Sequence, residues 1–401
     1  YPQGFFHGYR DMAETDLDVI LHLGDYLYEY PAGYYVNPIA ELELGRRVKP
    51  EHELFVLEDY RMRHGLYRTD RDLQAAHAAH PWITVWDDHE FTNDTWRLGA
   101  ENHNKGEGNF AARIRAAKTA YHEWMPIRTP EIGDQGAIYR SFELGNLADL
   151  IMLDTRLVGR DEQLNYARDI ERAGGIDLFV KDWLNAPDRQ ILGIEQEKWL
   201  ARQLTGSESR GATWQVLGQQ VLMGKLPFPI IPPEVLEDVT LLDEVKAVIE
   251  QSQKLAPLGM PFNLDAWDGY PSARERLFRM LRVTASNPIS LAGDTHNGWA
   301  FNLSTESGQS VGVEFGTPGI SSPGLEAYLP IPPNDMLALL KSVSPELRYA
   351  DTYRRGWTQV TLTPDSAMAQ WQFVSSVIDT QYRTSRGVEL KTLAGSRRLL
   401  E

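Results

Sequence analysis

The chain contains no cysteine, which excludes disulfides, thiolate nucleophiles and thiolate metal ligands within it and leaves its compartment unreadable from redox usage. No apolar run approaches the ~20 residues that a membrane-spanning helix needs. There is no internal repeat, low-complexity tract or Gly/Ser linker. Basic charge is scarce: 40 Lys and Arg stand against 56 Asp and Glu, a formal net charge of -16. Such a balance argues against a general nucleic-acid-binding face. It would also repel an anionic ester, so a substrate of that kind needs a local positive centre, which carboxylate-held metal ions would supply. Neither a methionine nor a signal-like segment opens the sequence at Tyr1, which reads as a mature form or a fragment. What remains is an ordinary globular composition, 42% hydrophobic and 24% charged over 401 residues, long enough for a large core.

A recurring pattern organises the chain. Short apolar, β-prone runs lead directly into polar residues able to do chemistry. Val19 to Leu23 leads into Gly24-Asp25-Tyr26-Leu27-Tyr28, and Trp82 to Trp86 into Asp87-Asp88-His89-Glu90. Leu150 to Leu153 precedes Asp154-Thr155-Arg156, and Trp214 to Leu217 precedes Gly218-Gln219-Gln220. Ile289 to Ala292 precedes Gly293-Asp294-Thr295-His296. Each run has the length of a buried strand. In sheets flanked by helices, ligands bind just beyond strand ends, so five such clusters can converge on one site. Between them, Phe110, Ile114, Ala117, Tyr121 and Trp124 recur at helical spacing, and Gln196 to Leu204 and Leu54 to Arg63 also read as helices. Ser272 followed by Glu275 has the signature of a capping box opening a helix through Leu281. Val235 to Leu255 reads as a helical insertion after the stiff segment Pro227 to Pro233, and Trp357 to Leu362 and Ala369 to Val377 read as strands. Elements mixed in this order predict an α/β or α+β sandwich.

The strand-end residues carry hard-ligand chemistry. Gly24 lets the chain turn so that Asp25 points away from the sheet, where one carboxylate can bridge two cations. Tyr28, three residues on, is close enough for its phenolic oxygen to join. Asp87 and Asp88 are adjacent acids that repel one another unless a cation or donor compensates them. Asp88 is a candidate oxygen ligand, and His89 a donor of a proton to a leaving oxygen. Nine of the ten histidines lie at or before His122; His296 stands alone, two residues from Asp294, and the two form a candidate ligand pair. Arg156 offers a bidentate grip on phosphate oxygens, or an ion pair with a neighbouring acid. Carboxylate, amide and phenolate oxygens together favour hard cations.

The blocks HLGDYLYEY, AHPWITVWDDHEFTND, AYHEWMPIR, LDTR, LGQQVLM, LAGDTHNGWAF and VEFGTPGISSPG, taken in order, resemble the PhoD-type alkaline phosphatases, a branch of the calcineurin-like metallophosphoesterases. The resemblance covers nearly the whole chain. It implies a four-layer αββα sandwich with mixed β-sheets, forming a single catalytic domain over residues 1–401. It implies hydrolysis of phosphomonoesters and phosphodiesters by in-line attack of a metal-activated hydroxide, at a site holding Fe(3+) and Ca(2+). By motif, Asp25 bridges metals, Tyr28 and His296 serve iron, Asp88 and Asp294 serve calcium, and Gln219 occupies the region of a further ligand. His89, Asn93 and Arg156 are candidates for phosphate contact or leaving-group assistance. The family's cysteine-bearing first motif, and an N-terminal β-domain before it, are expected ahead of Tyr1. The partners implied are small-molecule or lipid phosphate esters, including those of the family's phospholipase D-type members, with no nucleic acid. Export to the periplasm or the cell exterior follows from the resemblance alone. Two other readings compete: a degenerate relative that binds calcium or phosphate without turnover, and a carboxylate-pair glycosidase.

Overall fold

A computed structural model describes residues 1–129, 137–231, 243–329 and 331–400. Its strands are β1 Ile20–His22, β2 Trp82–Thr84, β3 Thr95–Trp96, β4 Gly99–Ala100, β5 Arg140–Leu144, β6 Ala148–Met152, β7 Trp214–Gly218, β8 Pro288–Ala292, β9 Gly298–Ser304, β10 Ser310–Gly316, β11 Leu347–Asp351, β12 Arg355–Leu362, β13 Ser366–Val374 and β14 Thr384–Leu393. All five apolar runs are strands. The strands β6, β7 and β8 are buried at every position, which is why they read as continuous apolar runs rather than alternating ones.

Seven strands form one mixed sheet in the order β11-β9-β10-β8-β7-β6-β5, with β10, β8, β7 and β6 mutually parallel and the outer strands antiparallel. β1 and β2 form a separate parallel pair, and β12-β13-β14 an antiparallel sheet. The two faces of the large sheet enter different cores. Leu150, Met152, Val216, Ile289 and Phe315 face β1–β2 and β13, together with helices 7–14, 57–67, 71–79 and 110–124. Ile151, Leu217, Phe301 and Val311 face the opposite way, against helices 194–210, 271–284 and 333–343. This helix, sheet, sheet, helix layering is the four-layer sandwich.

The helices expected at 110–124, 196–204 and 54–63 are present, the last as Leu57–Tyr67. The capping box at Ser272 is not. Pro271 occupies the first turn, where its missing N–H costs nothing, and Ser272 Oγ donates instead to the Asn185 carbonyl at 3.0 Å. Of the proposed helical insertion, Asp243–Leu255 is helix and its first residues lie outside the described ones.

Candidate metal centre

The geometry starts with two adjacent loops. β1 and β2 are parallel neighbours, in register from Ile20 beside Trp82 to His22 beside Thr84, so the chain leaves both at the same edge. The loops then touch. A Cβ on Gly24 would lie 2.3 Å from Cβ of Asp87, and φ there is +116°, so only glycine fits. Asp25, Asp94, Asp294 and His296 also adopt positive φ, at 58°, 52°, 63° and 58°. Four strained non-glycine residues at strand-end loops are a feature of functional sites rather than of ordinary turns.

One carboxylate ties the two loops together. Glu90 accepts from the backbone N–H of Asp25 at 3.0 Å and of Asp87 at 2.6 Å, and from that of Tyr26. Glu29 plays a parallel part. It accepts from His89 Nδ1 at 2.7 Å, Asn93 N at 2.7 Å and Asn102 Nδ2 at 3.0 Å, and so fixes the His89 ring. Arg63, fully buried on helix 57–67, donates to the carbonyls of Tyr28, Tyr30, Lys49 and Pro50 and anchors the tyrosine loop from below.

At the centre, acceptors outnumber donors. His296 Nδ1 lies 2.8 Å from the Pro323 carbonyl, which requires the proton on Nδ1, so that in the neutral ring Nε2 carries the lone pair. That nitrogen is 3.4 Å from Asp25 Oδ2, and both face the Tyr28 hydroxyl, at 2.7 and 3.0 Å. One phenolic proton serves two acceptors. Asp25 Oδ1 and Asp87 Oδ2 are buried with no hydrogen-bond partner among the described residues. Ligand atoms of Asp25, Asp88 and His89 fall within 4.8 Å of one another, as do those of Asp87, Asp88 and Asp294. Orphaned buried oxygens are costly, and a cation is the group that satisfies several at once. The donor set, carboxylates with a phenol and an imidazole, fits hard cations such as ferric iron and calcium.

Charge tells the same story. Burial, then the neighbouring carboxylates, push the Asp87 and Asp294 carboxyls well above the usual range. Burial pushes Asp88 up too, but Arg156, His89 and the Asp94 N–H at 2.6 Å outweigh it and hold it at about 2. Burial disfavours charge on His89, yet Asp88, Glu29 and Asp25 together raise its pKa well above the ordinary value. Arg156 is fully buried and shared by four acids: Asp87 at Nε, Asp265 at 2.8 Å, Asp294 at 3.1 Å and Asp88 at 3.5 Å.

The structure thus gathers Asp25, Tyr28, Asp88, His89, Arg156, Asp294 and His296 in one place. It does not gather the other two. Gln219 is held between strands, its amide donating to Val221 O and Ser290 Oγ and accepting from Trp267 Nε1 at 3.1 Å. The Asn93 side chain turns outward and donates to Glu101 at 3.2 Å. Sequence reasoning gave no role to Glu29, Glu90, Arg63 or Asp265. The two glutamates at least sit inside the quoted blocks, next to residues already singled out.

The sequence matches the profile of the PhoD-like phosphatases over residues 1–371. The chain belongs to that family. Alkaline phosphatase D of Bacillus subtilis (strain 168) is 34% identical over 386 residues, which is 94% of this chain and 58% of that protein. The chain therefore spans little more than half the length of this PhoD-like relative. A solved structure of PhoD superposes with a TM-score of 0.77 at 30% identity, covering all of this chain and 69% of its own. Among the described residues no helix is long and apolar enough to cross a membrane.

Proposed function

We propose that this chain hydrolyses phosphomonoesters, phosphodiesters or both, at a hard-cation centre formed by the strand-end loops. The observation that carries the reading is the set of buried acceptors around Asp25: its own unpartnered Oδ1, the Asp87 Oδ2 likewise, and the single phenolic proton between Asp25 and His296. Asp25, Tyr28 and His296 would hold iron on one side, with Asp88 and Asp294 holding calcium on the other. Bound cations supply positive charge to the phosphoryl oxygens and a water made nucleophilic near neutral pH. The remaining work falls to the chain. His89, oriented by Glu29 and with its charged form favoured by Asp88, Glu29 and Asp25, would give a proton to the departing oxygen. Arg156 keeps the carboxylate shell together rather than reaching substrate, because four acids already occupy its guanidinium. We read residues 1–401 as one catalytic unit, since the two largest hydrophobic cores are built on the same seven-stranded sheet. Export belongs to the proposal too, on family membership alone, and cell fractionation checks it.

The test is metal analysis of purified protein with hydrolysis of chromogenic phosphate esters before and after chelation. Bound iron and calcium with chelator-sensitive turnover that disappears in Asp25→Ala is the expected result. Stoichiometric metal without turnover replaces the reading with a non-catalytic binder. Absence of metal overturns it.

A further inference from the structure

A second cavity of about 330 Å³ adjoins the metal centre and shares Asp294 and His296 with it. The proposed chemistry makes no use of it. Its walls come from four segments, 222–226, 262–268, 294–299 and 323–328. They present Leu226, Phe262, Ala266, Trp299 and Leu325, with Tyr328 at the rim, 54% exposed. Several polar groups along these walls are turned to internal partners. Trp299 Nε1 donates to Thr295 Oγ1 at 2.8 Å. Asn263 Oδ1 accepts from Asp265 N at 2.8 Å, and Asp268 Oδ2 from Leu226 N at 3.1 Å.

A polyol or sugar entering this space would give up its water for walls that are largely apolar, and a second phosphate would meet the buried Asp268 carboxyl. An apolar group faces neither cost. The volume lies in the range of small-molecule sites, and the shared wall puts the cavity within reach of a substituent on a group held at the cluster. We propose that this cavity is the subsite for an apolar substituent, alkyl or aryl, carried on a phosphate ester whose phosphoryl group sits at Asp294 and His296. The proposal rests on reading the adjoining cluster as a phosphoester site. It assigns Leu226, Phe262, Trp299 and Leu325 to substrate discrimination.

The experiment is calorimetric titration of the protein, with the metals it carries on purification, with n-alkylphosphonates from methyl to octyl. Burial of a methylene in such walls is expected to tighten binding roughly fourfold. Affinity should climb with each carbon until the cavity is full and then level off. In Phe262→Ala and Leu325→Asp the dependence on chain length should flatten; the two variants are chosen from different segments so that a folding failure in one leaves the other. Thermal melts confirm which variants are folded. Affinity independent of chain length overturns the subsite, as does tighter binding of glycerol phosphate than of butylphosphonate, or no phosphonate binding at all. Ester hydrolysis is assayed in parallel. A chain-length dependence without hydrolysis leaves the subsite standing and removes the catalytic reading. Hydrolysis with no chain-length dependence does the reverse.

Discussion

Replacing Arg156 by methionine strands negative charge at the centre of the protein. The guanidinium is fully buried and pairs with Asp87, Asp88, Asp265 and Asp294. Removing one partner of a buried ion pair costs about 3–5 kcal/mol, because the other partner stays desolvated and uncompensated. Unfolding entropy near the melting point is about 2.1 cal/mol/K per residue, or roughly 0.84 kcal/mol/K for a chain of 401 residues. The metal-free variant should therefore melt about 4–6 °C below the parent. Protonation offers partial relief, since burial and mutual repulsion already raise the Asp87 and Asp294 carboxyls. The deficit should accordingly be smaller at pH 5 than at pH 9. Arg156→Lys keeps the charge, but a single ammonium has no planar fork to reach Asp87, Asp265 and Asp294 together, so it should fall between the two. Calorimetry in chelator at both pH values measures all of this. A methionine variant that melts with the parent, or whose deficit grows at pH 5, would refute the account of Arg156 as the charge that holds the shell closed.

Further predictions concern protons and positioning. Glu90, pushed up to about 8 by burial and then by Asp25, and Asp94, pushed up to about 7 by burial and then by Asp265 and Asp88, are acids with raised folded pKa values. Their contribution to stability is complete below the ordinary carboxylate range and is lost as pH rises through about 7 to 8. Asp88, held at about 2, works in the opposite sense: its contribution is complete above 3.8 and is lost as pH falls through about 2. In chelator the melting temperature should fall between pH 6 and pH 9 and recover when calcium is added; a rise over that interval contradicts the assignment. Glu90→Ala leaves three backbone N–H groups without their acceptor and should weaken metal binding about 10–100-fold, the usual scale for groups that orient ligands, read by competition with a calcium chelator. Unchanged affinity would make Glu90 merely structural. Glu29→Gln keeps the shape around His89 but removes the charge beside Nδ1, so His89 should lose its proton more readily and the alkaline limb of the kcat/KM profile should move to lower pH. A profile that does not move removes His89 from proton transfer.

The legible and illegible parts of this sequence differ by the distance over which their interactions act. A strand buried on both faces has to be apolar throughout, so Leu150 to Leu153 and Ile289 to Ala292 announce themselves locally. The loop after an apolar strand is also local, and Asp25, Asp88 and Asp294 could be picked out on position alone. What escapes is the support, because its partners meet only in the folded chain. Asp265 reaches Arg156 across 109 residues, and Arg63 reaches Tyr28 across 35. Neither residue carries a local pattern that separates it from a surface ion pair or a solvated helix face. Gln219 shows the converse. It has the strand-end position of a ligand, but β7 lies between β6 and β8 in the large sheet, and its amide is used to join strands there. Position after a strand nominates a residue; only free lone pairs facing a common point qualify it. Asp25 meets that condition and Gln219 does not, so a variant at Gln219 should change stability and leave metal content unaltered, where Asp25→Ala should do the opposite.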